Sequence, residues 1–185
     1  HSTETEVTME EMLVVCKAVR RGVTRALVSC DLPFGAVQEG TEASVSAAVR
    51  LVKEGGTDMV KVHGDPDRVQ AIVRAGVPVF AEFHGKEIPA EKLVEEAKRL
   101  ENAGASLLDF RHSGPVAGAA VVKAVSIPVI GGLGGGPWLD GRVRLAHTAI
   151  GYGAKWIDSK TETYINTAKL SLEAFTALVA DVRAG

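Results

Sequence analysis

Arg25-Ala26-Leu27-Val28-Ser29-Cys30-Asp31-Leu32-Pro33-Phe34-Gly35 is the stretch whose reading decides the fold. A short run of apolar and small residues predicts a strand over 26–30. The run ends in a carboxylate, and Pro33 then removes a ladder donor. Strands that are apolar throughout belong to parallel sheets covered by helices. A carboxylate at the carboxyl end of such a strand is costly to bury unless it holds a metal or a substrate.

The same unit repeats along the chain: short apolar run, turn, amphipathic helix. Strands are expected at 59–62, 77–83, 107–110, 127–130 and 155–157. Helices are expected at 9–21, 41–53, 65–74, 89–102, 115–125, 142–150 and 163–183. Thr8 and Glu11 form a capping box before the first helix, Pro66 sits in the first turn of another, and Gly55-Gly56 ends a third. Six strands alternating with helices give an α/β protein with a parallel sheet. The joints Ala75-Gly76-Val77-Pro78-Val79 and Ser126-Ile127-Pro128-Val129-Ile130 suit a (β/α) barrel and also a doubly wound sheet. Six strands do not close an eight-strand barrel. Either two strands lie upstream of His1 or the sheet is open. The whole of 1–185 reads as one domain. The final helix, about 163–183, carries Leu170, Leu172, Phe175, Leu178, Val179 and Val182, a packing face for another subunit of a homo-oligomer.

The bulk numbers narrow the classes. The chain has 185 residues, 46% of them apolar, and a net charge of −2. That length supports a real core, and the balanced charge gives no footing for nucleic acid or an anionic membrane. No apolar run nears the roughly 20 residues of a membrane span. Cys16 and Cys30 are isolated in apolar runs and read as buried free thiols, in keeping with a reducing cytoplasm. Trp138, Trp156 and Tyr164 read as core covers.

Active sites of barrels and open α/β sheets lie at the carboxyl ends of strands. Those ends carry Asp31; Lys61 and His63; Glu82 and His84; Asp109, Arg111 and His112; and the glycine loop 131–136. This gathering of ionisable groups on one face points to an enzyme. Asp31, His63 and Glu82 could together ligate a divalent cation. In a strand, Lys61 and His63 face the side opposite Val60 and Val62. Lys61 could bind a 2-oxo acid oxygen, form a Schiff base, or simply pair with Asp31. Arg111 could clamp a substrate carboxylate, with His112 beside it, and Asp109 shares its strand face and is expected to pair with it. The glycine loop could present backbone N–H groups to an anion, or be a tight turn.

These runs resemble the ketopantoate hydroxymethyltransferase family. The resemblance spans nearly the whole chain. It is carried by Val7-Thr8-Met9-Glu10-Glu11-Met12-Leu13, Asp31-Leu32-Pro33-Phe34, Val60-Lys61-Val62, Ala75-Gly76-Val77-Pro78-Val79, Ser126-Ile127-Pro128-Val129-Ile130-Gly131 and Asp140-Gly141. It implies a (β/α)8 TIM barrel of the phosphoenolpyruvate mutase and isocitrate lyase superfamily, whose first two strands would lie upstream of this chain with a metal-binding aspartate and a serine. It implies Mg²⁺, and transfer of a hydroxymethyl group from methylenetetrahydrofolate to a small branched 2-oxo acid. Asp31 then matches a metal ligand and Lys61 a substrate-binding lysine. Three positions depart from the family pattern: His63 replaces a glutamate, Glu82 a histidine, and Arg111 the catalytic glutamate. Arginine cannot abstract a proton as a carboxylate does, so Glu82 or His84 becomes the candidate base. The readings that follow are aldol-type hydroxymethyl transfer, a lyase or hydrolase reaction on the same scaffold, and a non-catalytic barrel.

Overall fold

Thr8 starts the first helix as its sequence predicts. Its hydroxyl accepts a hydrogen bond from the Glu11 N–H at 3.2 Å, and the Glu11 carboxylate accepts one from the Thr8 N–H at 2.9 Å. Helix α1 (Met9–Gly22) buries Leu13 and Cys16. The structure, a computed structural model, describes residues 3–131 and 136–185. The chain divides into two compact units, 1–143 and 144–185, each described by itself.

The first unit is built on strands β1 (Ser29–Asp31), β2 (Met59–His63), β3 (Val79–His84), β4 (Leu107–Arg111), β5 (Val129–Gly131) and β6 (Gly141–Arg142). They pair in parallel and in chain order. That order discriminates between the two architectures the sequence left open. A doubly wound sheet reverses direction at a switch point, whereas here every crossover advances the same way. Right-handed crossovers then put the helices that connect these strands on one face. Helices α2 (Phe34–Gln38), α3 (Thr41–Arg50), α4 (Pro66–Arg74), α5 (Ala90–Asn102) and α6 (Pro115–Ala124) follow their strands, α3 continuing into a π turn at Leu51–Gly55.

Register explains the core. Cys30, Val60, Val62, Val79, Ala81, Phe83, Leu108, Phe110 and Val129 share one face of the sheet, and all are buried. They pack in one cluster with helix residues such as Leu51, Ile72, Leu93, Leu100 and Val121. Phe83 stacks on Phe110 with centroids 4.4 Å apart. Two glycines let strand ends approach closely. A Cβ at Gly85 would meet the His112 carbonyl oxygen at 2.8 Å, and one at Gly64 the Glu82 carbonyl oxygen at 3.0 Å.

The sixth strand departs from expectation. It lies at Gly141–Arg142, while the strand expected at 155–157 is overlapped by a 3-10 turn at Ala154–Trp156. Asp140 is the cause: its carboxylate accepts from the Val129 N–H at 2.8 Å, and its own N–H donates to the Val129 carbonyl at 2.9 Å. The next residues are thereby laid beside β5, and the helix expected over 142–150 shrinks to α7 (Ala146–Ala149). The eight-strand barrel implied by the resemblance is met in part. Among the described residues the fold is α/β with a six-strand parallel sheet, and no pairing of β6 with β1 closes it.

In the second unit, Asn166 caps α8 (Thr167–Ala184) by accepting from the Lys169 N–H at 3.0 Å and donates to the Trp156 carbonyl at 2.8 Å. Trp156 is buried as expected, but Tyr164 is 96% exposed and covers no core. Leu170, Leu172, Phe175, Leu178, Val179 and Val182 of α8 are exposed.

Candidate functional site

Strand alternation puts the charged residues on the face opposite the helices. Asp31 lies beside Lys61, His63 beside Glu82, Glu82 beside Asp109, and His84 beside Arg111. The carboxyl ends of β1 to β4 thus carry a staircase of ionisable side chains.

Lys61 is its hub. Its ammonium pairs with Glu82, lies 3.0 Å from Asp109 Oδ2 and 3.8 Å from Asp31 Oδ1. Glu82 is engaged through both oxygens: Oε2 by Lys61, and Oε1 by Arg111 Nη1 at 2.9 Å and His84 Nε2 at 3.3 Å. The two expectations for local pairing therefore divide. Lys61 does meet Asp31, but Asp109 pairs with Lys61, and Arg111 with Glu82. The His63 and His84 rings lie 5.3 Å apart, and those of His84 and His112 lie 6.4 Å apart. His112 holds φ +55°, a left-handed conformation uncommon outside glycine.

Burial alone would lower the Lys61 pKa; the hydrogen bond to Glu82 and the charges of Asp31 and Asp109 raise it above the ordinary lysine value. Burial would raise the Glu82 pKa, but the bonds from Lys61 and Arg111 hold its carboxyl below the usual range. Burial lowers the His84 pKa, with Arg111 and the other two imidazoles adding to the effect against the opposing charge of Glu82. The face therefore offers an ammonium and a guanidinium bracketing one carboxylate, with a neutral imidazole at its edge at physiological pH. Fixed cations of this kind bind carboxylates and stabilise developing oxyanions.

Asp31 is not the costly buried carboxylate its position suggests, because its side chain is 68% exposed. The buried one is Asp109, at 3%. Its sequence position suggested only a pairing with Arg111, two residues on along the same strand face, and not its depth or its contact with Lys61. Asp31, His63 and Glu82 do not form a ligand set. Among the described residues, no group of three or more His, Cys, Asp or Glu is placed to hold a metal ion. Asp31 nevertheless fits a hard cation as one exposed oxygen ligand, since Mg²⁺ needs only one or two protein carboxylates beside water and substrate oxygens. Of the glycine loop 131–136, residues 132–135 lie outside the described residues.

Fold and site together define a parallel α/β protein with a charged cluster at the carboxyl ends of its strands. The profile of the ketopantoate hydroxymethyltransferase family matches residues 1–85 and 82–185. The chain is 33% identical to the 3-methyl-2-oxobutanoate hydroxymethyltransferase of Geobacillus kaustophilus, over 96% of this chain and 70% of that protein. It is 33% identical to the enzyme of the same name from Rippkaea orientalis, over 100% of this chain and 79% of that one. The chain belongs to the ketopantoate hydroxymethyltransferase family, a family of enzymes. Among solved structures, a putative lyase/mutase from Burkholderia cenocepacia superposes with TM-score 0.60 at 16% identity, covering 96% of this chain and 69% of that one. The carboxyl transferase domain of Rhizobium etli pyruvate carboxylase with pyruvate gives TM-score 0.53 at 18% identity, over 67% of this chain and 26% of that one. At such identities these two speak to fold alone.

Proposed function

We propose that this protein transfers a hydroxymethyl group to 3-methyl-2-oxobutanoate, or a closely similar branched 2-oxo acid, by aldol-type carbon–carbon bond formation. The observation that carries this reading is the family match along the whole chain to relatives bearing that activity in their names. Methylenetetrahydrofolate is the proposed one-carbon donor.

Lys61 and Arg111 are the substrate-binding cations, Arg111 taking the carboxylate with His112 beside it and Lys61 the 2-oxo oxygen. His84 is the proposed base. Glu82 has both oxygens engaged and a lowered pKa, so it is better suited to orient the imidazole. A neutral His84 that donates Nε2–H to Glu82 presents its Nδ1 lone pair to the C3 proton. A divalent metal such as Mg²⁺ held by Asp31 would supply Lewis-acid stabilisation of the enolate oxygen. Free Cys16 and Cys30 suit a reducing cytoplasm. The exposed apolar side chains of α8 suit a homo-oligomer.

The direct assay supplies 3-methyl-2-oxobutanoate, methylenetetrahydrofolate and Mg²⁺, and detects the hydroxymethylated 2-oxo acid by mass spectrometry. Product is expected, and its absence with the folded protein would contradict the reading. One observation favours a second reading, a lyase or hydrolase reaction: Arg111 stands where the family resemblance calls for a carboxylate. Cleavage of 2-oxo acids without the one-carbon donor would support that alternative.

A further inference from the structure

Asp109 has no role in the reaction proposed above, yet it is the most deeply buried of the three carboxylates around Lys61. Its side chain is 3% exposed, against 12% for Glu82 and 68% for Asp31. Oδ2 lies 3.0 Å from the Lys61 ammonium. Oδ1 is buried with no hydrogen-bond partner among the described residues. A carboxylate kept for stability has its oxygens satisfied, since a buried acceptor without a donor is destabilising. Among the described residues Asp109 Oδ2 meets Lys61 and Oδ1 meets no hydrogen-bond partner.

Register shows what that contact does. Lys61 starts level with Asp31 and Phe80, while Glu82 and Asp109 stand further along the strands. The ammonium therefore reaches up and across the sheet, from β2 past β3 toward β4. Without Asp109, the flexible four-carbon stem would settle between Asp31 and Glu82, away from β4. Arg111 projects from β4 on the same face as Asp109, two residues on.

We propose that Asp109 is a positioning residue: it draws the Lys61 ammonium across the inner face toward β4, so that Lys61 and Arg111 converge on one anionic substrate. The substrate's identity rests on the proposed function; the positioning does not. The local charge balance sharpens the consequence. Lys61 keeps Glu82 and Asp31 as carboxylate partners when Asp109 is removed, and a buried oxygen without a partner among the described residues goes with it. Asp109→Val is expected to leave the melting temperature unchanged or raise it, while weakening 2-oxo acid binding about tenfold or more.

The test is a double-mutant cycle on the full chain with Lys61→Ala and Asp109→Val. Calorimetry measures the Kd for 3-methyl-2-oxobutanoate, and thermal unfolding is followed alongside. Asp109→Glu restores the carboxylate and is expected to recover part of the affinity. If Asp109 acts through Lys61, Asp109→Val weakens binding in the wild-type background and has less than a twofold effect in Lys61→Ala. An equal effect in both backgrounds, or a Kd within twofold of wild type for Asp109→Val, overturns the proposal. So does a lowered melting temperature with unchanged Kd, the outcome of a purely structural role.

A second readout needs no substrate. Amine-reactive labelling of Lys61, quantified by mass spectrometry, is expected to accelerate at least threefold in Asp109→Val; an unchanged rate overturns the positioning claim. If the wild type fails to bind the 2-oxo acid while the labelling difference holds, the functional reading fails and the positioning role stands.

Discussion

Glu82 and Lys61 are the residues on which the charged face depends, and their shifted pKa values give it a pH signature. A depressed carboxyl pKa contributes stability that is complete above the ordinary value of 4.5 and is lost as pH falls through the folded-state value. A raised lysine pKa contributes stability that is complete below 10.5 and is lost as pH rises through its folded-state value. Glu82→Gln is therefore expected to unfold more readily than wild type at pH 7, with the gap closing in chemical denaturation series taken below pH 4.5. The same substitution takes away the anion proposed to orient the His84 imidazole, and kcat is expected to fall about 100-fold. Cys30 provides a check away from the site. Burial, then the neighbouring Cys16, pushes its thiol up to about 12. Folded protein at pH 8 is expected to resist alkylation at Cys30, and denatured protein to react at once; rapid labelling of the folded state would contradict the packing around α1 and β1.

At the scale of elements, the strand ends and helix starts bear the account. Thr8→Ala removes the hydroxyl arm of the capping box and leaves the arm from the backbone N–H, and a loss of about 1 kcal/mol in denaturant midpoint analysis is expected. Gly85→Ala drives a Cβ against the His112 carbonyl and the Phe110 ring, at 2.8 Å each. It is expected to destabilise the β3 and β4 ends and lower activity with them. Most elements were legible because their signals are local: the capping box, Pro66 in a first turn, and apolar residues at helical spacing. β2, β3 and β4 were legible too, and with them the facing of Lys61 and His63. The sixth strand was not, because Gly141–Arg142 carries no strand pattern and is set by Asp140 bonding to a residue eleven positions away. The site was legible as a list of residues and not as a set of partners. Asp31 was expected to be buried and is exposed, while Asp109, expected beside Arg111, is buried against Lys61. Depth at a strand mouth is decided by neighbouring strands and loops, which no local window records.

At the scale of the whole molecule, chain-order pairing of six parallel strands makes one face an apolar core and the other a charged working surface. In the proposed reading hydroxymethyl transfer takes place on that surface, where His63, Glu82 and Arg111 depart from the family resemblance and Lys61 and Arg111 are two cations for an anionic substrate. Self-association is expected to accompany this, with a light-scattering mass above the 19.4 kDa of one chain; a monomer at micromolar concentration would contradict it. The central claim is that these groups make an enolate from a 2-oxo acid. Its most direct test is exchange of the C3 proton of 3-methyl-2-oxobutanoate in deuterated water, followed by proton NMR with the protein and Mg²⁺ and without a one-carbon donor. The C3 signal is predicted to disappear far faster than in buffer with Mg²⁺ alone, and to persist with Lys61→Ala. A wild-type protein that binds the acid yet exchanges its C3 proton no faster than buffer would contradict the account.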